Sequence, residues 1–372
     1  MRAGQSRAGA AAAAEAVRAG KPGLVAKCNR EYCASMAGRG GGVLDIELRV
    51  LPSSSASAGA VSAGSWQLVC HVLLDCMDAM GANLVNTVAE LLAPDLLAVA
   101  VPENDGDTHR VGLRILSNHC PERVTTASFK LPAAALAYKG LDGAAVGRRI
   151  VEAAQFAVDD PFRAVTHNKG VMNGVDAVAV ATGQDWRAIE AAAHAYCSLP
   201  TGRDEQDGGG GQYRPLTRYR WEEGAVGGGG GGGWLTGSIA IPMPVGTVGG
   251  ALKSHPTYAL VRPRPHTPAR PTVRPTDRPT DRPPILRAPR HRFRSTLIGS
   301  AMITFTLSRM QVHKLLGNPD AAQLAIIIAT VGLAQNMAAI RALAVRPSPR
   351  PPRLLPPPCF IRITFAMHTL TP

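Results

Sequence analysis

Two short runs crowded with Val, Leu and Ile, Asp45–Leu51 and Trp66–Leu74, predict strands, and the Ser/Ala/Gly-rich stretch Pro52–Ser65 between them predicts a loop. The period then changes. Leu84, Val85, Val88, Leu91 and Leu92 fall at i, i+1, i+4, i+7 and i+8, which lays an apolar stripe on one face of a helix over Asp78–Ala93, ended or kinked by Pro94. After the turn residues Asn104, Asp105 and Gly106, the run Arg110–Leu116 reads as a third strand. Strand, strand, helix, strand makes a small α/β unit with an antiparallel component. Further helices are predicted around Gly147–Phe156 and Asp185–Tyr196, with a loop at Thr166–Asp176 between them, and a strand at Ser238–Ile241 runs into Pro242. The longest apolar run, Leu324–Val345, covers 22 residues, but Gln335, Asn336 and Arg341 interrupt its second half. That predicts a buried helix and not a membrane span.

With 372 residues and 45% apolar composition, the chain can bury a substantial core in two or three domains. The formal net charge of +13 would ordinarily point to nucleic acid or an acidic membrane surface, so its location matters. Val261–Met310 holds 11 Arg against two Asp, and Val345–Pro372 holds four Arg and no acid. These two Pro-rich segments carry the whole excess, and the remainder is neutral. Only Phe293 and Phe305 are interleaved with the arginines of the first segment, which leaves little for bases to stack on, so no nucleic-acid partner is expected. The seven cysteines are odd in number and form no zinc-type CxxC pair, which points to reduced, unpaired thiols and no metal. The Ala/Arg-rich N-terminus, with Arg2, Arg7 and Arg18, reads either as an organellar transit segment or as a helix starting inside a domain.

Gly208–Gly211 and Gly227–Gly233 are low-complexity and read as flexible insertions in surface loops. Arg274–Pro283 reads RPTDRPTDRP, the product of a tetranucleotide repeat translated in frame, and it offers no helix or strand period and no core. Arg262 to about Arg309 is therefore expected to be disordered and to derive from intronic or simple-repeat sequence.

Two strings carry candidate chemistry. Asp78-Ala79-Met80-Gly81-Ala82-Asn83 places a glycine at the opening of a helix, where free N–H groups and the helix dipole attract a pyrophosphate. It is not the GxGxxG of a Rossmann fold. Thr166-His167-Asn168-Lys169-Gly170 sets an ammonium in a Gly-flanked segment, and Asp185 stands at a helix start. By themselves these two read more readily as a solvated lysine and an N-cap than as a catalytic pair.

DAMGANLVNT, ILSN, RAVTHNKGVMNGVDAVAVATGQDWRAIEAAAHAY, IPMPVGTVGG and VGLAQNMAAIRAL resemble, in this order, the signatures of the hydroxymethylglutaryl-coenzyme A reductase family, over about Lys27–Leu260 and Val312–Ala344. The strings are closer to the soluble bacterial type (class II). The resemblance implies an α/β (α+β) fold with a small ferredoxin-like cofactor-binding domain inserted in a larger, mostly helical substrate-binding domain. The boundaries it suggests are an Ala-rich segment 1–26, a small domain 27–117, a large domain 118–260, an Arg/Pro-rich insertion 261–310, large-domain helices 311–345 and a disordered tail 346–372. It implies reduction of 3-hydroxy-3-methylglutaryl-CoA to mevalonate and coenzyme A with two NADPH or NADH, or the reverse, in isoprenoid metabolism. The implied protein is a cytoplasmic homodimer with its site at the dimer interface.

On the same ground Lys169 would stabilise the oxyanion formed as hydride arrives, and Asp185 would hydrogen-bond Lys169 and aim it. Arg163, Asn173 and Asn118 would line the substrate pocket. Asp78, Met80, Gly81, Ala82 and Asn83 would cradle the cofactor, with Asp45 near its adenosine ribose. Two family acids have no counterpart here: a glutamate that precedes the small unit, and a histidine that follows VGLAQNMAAIRAL, where this chain reads RPSPRPPRLLPPP. His368 lies in unrelated surroundings. Each missing acid costs about a hundred- to ten-thousandfold, so the chain as written is expected to be nearly inactive. The alternative expectation is a catalytically dead homologue that binds coenzyme A or nucleotide.

Overall fold

The apolar positions sort into two separate cores, one on either side of residue 101. The computed structural model describes residues 7–52, 66–101, 111–199, 212–224, 233–249 and 312–345. The expected insertion at 261–310 and tail at 346–372 lie outside the described residues.

In the first lobe, helix α1 (Arg7–Lys27) buries Ala10, Ala13, Ala14 and Val17, a stripe at i, i+3, i+4 and i+7, against the sheet and a second helix. The Ala-rich start of the chain is thus part of this core. A π-helical turn (Cys28–Tyr32) and the short α2 (Ala34–Ala37) lead to β1 (Gly42–Pro52), which pairs antiparallel with β2 (Trp66–Asp75) from Gly42 opposite Asp75 to Pro52 opposite Trp66. Helix α3 (Ala82–Ala100) closes the lobe with Val88 and Leu92 fully inside. Asp95 of α3 ties back to α1 and its following turn through Lys27 Nζ (2.8 Å) and the Tyr32 hydroxyl (2.5 Å).

Two expectations are corrected in this lobe. Of the two outcomes expected at Pro94, an end or a kink, the end does not occur, since α3 runs on to Ala100. The proline forfeits one backbone hydrogen bond, but Ala93 and Ala100 are buried on either side of it, and that packing holds the second half in place. The expected strand Arg110–Leu116 does not form over its described residues 111–116. Side chains of α3 hold this segment instead of a ladder: Asn86 Oδ1 accepts the Leu116 N–H at 2.8 Å, and Glu90 pairs with Arg114.

The second lobe is a three-stranded antiparallel sheet in the order β3 (Val124–Pro132), β5 (Trp234–Pro242), β4 (Thr217–Glu222), backed by helices α4 (Gly143–Asp159), α5 (Pro161–Thr182), α6 (Trp186–Ser198) and α7 (Ala321–Ala344). Ile150, Val171, Val175, Ile189, Leu235, Ile239, Leu324 and Ile328 form the centre of its core. Along β5, Leu235, Gly237, Ile239 and Ile241 alternate inward, as a half-buried strand requires.

The expected loop Thr166–Asp176 is the middle of α5, and this is the largest difference from the sequence reading. Asp160 caps the helix by accepting the Phe162 N–H at 3.0 Å, and Pro161 occupies the first helical position. Val171 and Val175 then seat the middle turns against α7, so the propensity cost of Gly170 and Gly174 is outweighed by burial. Helix α7 opens on a capping box between Asp320 and Gln323 and lies against α5, α4 and the sheet. Both α3 and α7 have the length and composition to cross a membrane, but α7 spends Leu324, Ile328, Ala329 and Leu333 on the interior of this lobe.

Candidate functional site

The two lobes meet where the turn Asp78–Gly81 passes the segment after β5. The Asp78 carbonyl accepts N–H groups from Thr247 (2.8 Å) and Val248 (3.2 Å), and Ala79 and Val248 form a parallel bridge. A Cβ on Gly246 would stand 2.1 Å from Met80 N, so only glycine permits this approach of two backbones. The Asp78 carboxylate accepts the Ala321 N–H at 3.0 Å, at the first residue of α7. Gly81, in left-handed conformation with φ 104°, is the N-cap of α3, and no side chain caps the helix. The first N–H groups of α3 are therefore left to an anion, and Ala82 and Asn83 stand at that opening, Asn83 exposed.

Two residues that sequence reasoning missed hold this junction. Arg123 donates through Nη1 to the Met80 carbonyl (2.8 Å) and through Nη2 to the Val245 carbonyl (2.9 Å). The Gln184 side chain donates to the Gly246 carbonyl (3.0 Å) and accepts the Gly246 N–H (2.9 Å). Gln184 sits inside the string ATGQDW beside Asp185, and that adjacency was the one available signal. Arg123 follows ILSN by five residues and carried none.

Lys169 lies on the exposed face of α5, with Asn173 one turn further along the same face. Asp185 is the N-cap of α6: its carboxylate accepts the Ala188 N–H (3.3 Å) and pairs with Arg187 Nε (3.3 Å). The expected Lys169–Asp185 contact is not formed within the chain. Lys169 stands thirteen residues before the end of α5 and Asp185 three residues beyond it, so a continuous helix puts them roughly 20 Å apart along its axis.

Arg163, one turn before His167 on α5, is half-buried, and burial lowers its pKa. Asn118 is exposed in the irregular link between the lobes. Asp45 lies on β1 beside a bulge, where Lys21 (2.7 Å) and the Ile46 N–H (2.8 Å) hold its carboxyl below the usual range. No described contact joins Asp45, Asn118 or Arg163 to the Asp78–Asn83 turn.

Beneath the Lys169 turn runs a buried polar network that the sequence did not announce. His167 Nε2 contacts Thr217 Oγ1 at 2.5 Å, and Thr217 and Tyr219 both donate to Asn336 Oδ1, at 3.2 and 2.8 Å. Asn168 donates to the Arg214 carbonyl (2.8 Å) and accepts the Leu216 N–H (2.8 Å). His167 is 2% exposed, and burial, with Arg163 adding to it, pushes its pKa down to about 4. The neutral ring stitches α5 to β4 and, through Asn336, to α7. On the same helix, burial and the neighbouring Glu190 push Asp176 up to about 6.

Residues 6–262 match the family model described as hydroxymethylglutaryl-coenzyme A reductase. The chain is 33% identical over 305 residues to 3-hydroxy-3-methylglutaryl-coenzyme A reductase of Archaeoglobus fulgidus, a match that takes in 82% of this chain and 49% of that protein. It is 32% identical over 182 residues to the probable 3-hydroxy-3-methylglutaryl-coenzyme A reductase of Borreliella burgdorferi, covering 49% of this chain and 36% of that one. It therefore spans about half the length, or less, of these curated relatives. Among solved structures it is similar to the Streptococcus pneumoniae 3-hydroxy-3-methylglutaryl-coenzyme A reductase (TM-score 0.61, 30% identity, 90% of this chain and 67% of that one). The class II enzyme of the same organism bound to NADPH in open conformations gives a TM-score of 0.60 at 31% identity, with the same coverage.

Proposed function

Because the chain belongs to the hydroxymethylglutaryl-coenzyme A reductase family, we propose that its fold is built to reduce 3-hydroxy-3-methylglutaryl-CoA to mevalonate and coenzyme A, using NADPH or NADH, as a cytoplasmic homodimer. The observation that carries this reading is the convergence, at one junction, of strings far apart in sequence. DAMGAN, ATGQDW and IPMPVGTVGG meet around Gly246, and the Asp78 carboxylate reaches the start of α7, which holds VGLAQNMAAIRAL.

The uncapped start of α3 fits a dinucleotide. Its free N–H groups suit a pyrophosphate, and the absence of an acidic residue from its first turn leaves that end electrostatically open. A bound nicotinamide supplies hydride. Lys169 offers an ammonium with no partner among the described residues, free to meet the negative charge that hydride delivery creates on a thioester oxygen. Arg163, half-buried one and a half turns earlier, offers a planar donor pair for the substrate carboxylate. The unbridged thiols Cys28, Cys33, Cys70, Cys76, Cys120 and Cys197 accord with a reducing compartment.

A second reading, a homologue that binds nucleotide or coenzyme A without turnover, is favoured by the wide separation of Lys169 from Asp185 along α5. One preparation tests both. NADPH binding is followed by nicotinamide fluorescence, and NADPH oxidation on addition of 3-hydroxy-3-methylglutaryl-CoA by absorbance. Turnover that Lys169→Ala abolishes supports the reductase, NADPH binding without turnover supports the second reading, and absence of both sinks the reductase together with the nucleotide-binding form of the second.

A further inference from the structure

The junction contains an unbroken path between two functional elements, and neither of the side chains that complete it belongs to the candidate catalytic set. The Arg123 guanidinium is fixed at both ends of its fork, on the Met80 carbonyl of the small lobe at 2.8 Å and the Val245 carbonyl of the large lobe at 2.9 Å. Its own carbonyl accepts the Met243 N–H at 3.0 Å, so the backbone behind the fork is anchored to the end of β5 as well. The next residue after Val245 is Gly246, whose N–H and carbonyl are both taken by the one amide of Gln184, at 2.9 and 3.0 Å. This closed pair mimics a rung of β-ladder and leaves Gln184 no rotational freedom. Asp185 follows directly, and its carboxylate accepts the Ala188 N–H. Gly246 cannot recede from Met80 without breaking these bonds, and it cannot move closer because no space is left between the two backbones.

We propose that Arg123 and Gln184 are positioning residues that lock the Asp78–Asn83 turn to the corner carrying Asp185, so that a nicotinamide dinucleotide bound at the turn is felt at that carboxylate through Gly246. The inference rests on the dinucleotide reading of the turn. A purely structural role would stabilise the junction equally with and without ligand, whereas a coupling role makes the response at Asp185 depend on Gln184.

Amide hydrogen exchange by mass spectrometry on the full chain, with and without NADPH, separates these. The wild-type is compared with Arg123→Met, Arg123→Lys and Gln184→Met. Without ligand, Gln184→Met should speed exchange at Gly246 about tenfold, the loss of one specific hydrogen bond, and Arg123→Met should speed it across 79–84 and 245–248. With NADPH, the start of α3 at 82–86 should be protected in both wild-type and Gln184→Met. Protection at 186–189, where Ala188 reports on the Asp185 carboxylate, should appear in the wild-type and be lost in Gln184→Met and Arg123→Met. Arg123→Lys keeps the charge but not the two-pronged fork, and should restore less than half of the lost protection at 186–189. If Arg123→Met does not fold, Gln184→Met decides by itself. Equal protection of 186–189 in wild-type and Gln184→Met overturns the coupling while leaving the dinucleotide reading standing. No protection at 82–86 in any form overturns the dinucleotide reading, and the coupling falls with it.

Discussion

The junction around Gly246 and the outer face of α5 hold two halves of the same candidate chemistry under opposite physical conditions. At the junction, backbones touch, and every described polar group named there is committed: Asp78 to α7, Arg123 to two carbonyls, Gln184 to both peptide groups of one glycine. On α5, Lys169 and Asn173 face outward beside the exposed Phe162 and Val165, with no described partner of their own. The difference teaches where a single chain suffices. Glycine-permitted backbone contact fixes geometry from within, whereas a lysine on an open helix face acquires a defined position only from whatever docks against it.

The largest effect should come from Gly246→Ala. Its new Cβ must displace the Met80 backbone, so a loss of about 3 kcal/mol in chemical denaturation is expected, and full wild-type stability would break the account of the junction.

Nearly as large is the effect of His167, which anchors the α5 side. Its folded pKa is depressed, so the unfolded chain takes up a proton first. Stability is fully present above pH 6.5 and is lost as pH falls toward 4, by an amount on the order of 3 kcal/mol. Asp176 works in the opposite sense, since its raised pKa makes protonation below pH 6 favour the folded state. As pH falls from 7 to 4, stability should therefore drop more steeply than the wild-type's in Asp176→Asn and shift in the opposite direction, towards a gain, in His167→Gln, and parallel curves for all three proteins would contradict both assignments.

Asp320→Ala removes the cap of α7 where it meets Asp78, and should cost about 1 kcal/mol in melting experiments. Smallest of all, Lys169→Ala should change stability by less than about 0.5 kcal/mol, because nothing described leans on the ammonium. A larger loss would show that the two regions are less different than their contacts imply.

Much of the local structure was legible. The strands β1, β2 and β5 and the helices α4, α6 and α7 stand about where period and punctuation put them, and α3 begins near its expected place but runs past Pro94. The misreadings share one cause. Thr166–Asp176 looked like a loop because Gly170 and Gly174 are poor helix formers, yet α7 pays for them by burying Val171 and Val175. Arg110–Leu116 looked like a strand because it alternates, yet a strand needs a neighbour, and α3 supplied side chains instead. Strands β3 and β4 went unnoticed because Thr, Ser and Arg occupy their outer positions and mask the inward Leu, Tyr and Phe.

By itself the sequence determined the family, the residue types of the candidate chemistry and the two Pro/Arg-rich segments that carry the charge, since these depend only on which residues follow one another. Only the tertiary structure decided that Lys169 stands in the middle of α5 and Asp185 beyond its end, at the start of α6, and that Arg123 and Gln184 clasp the lobes together. Distances between residues far apart in sequence are set by which apolar faces find each other, and a linear string holds no record of that pairing.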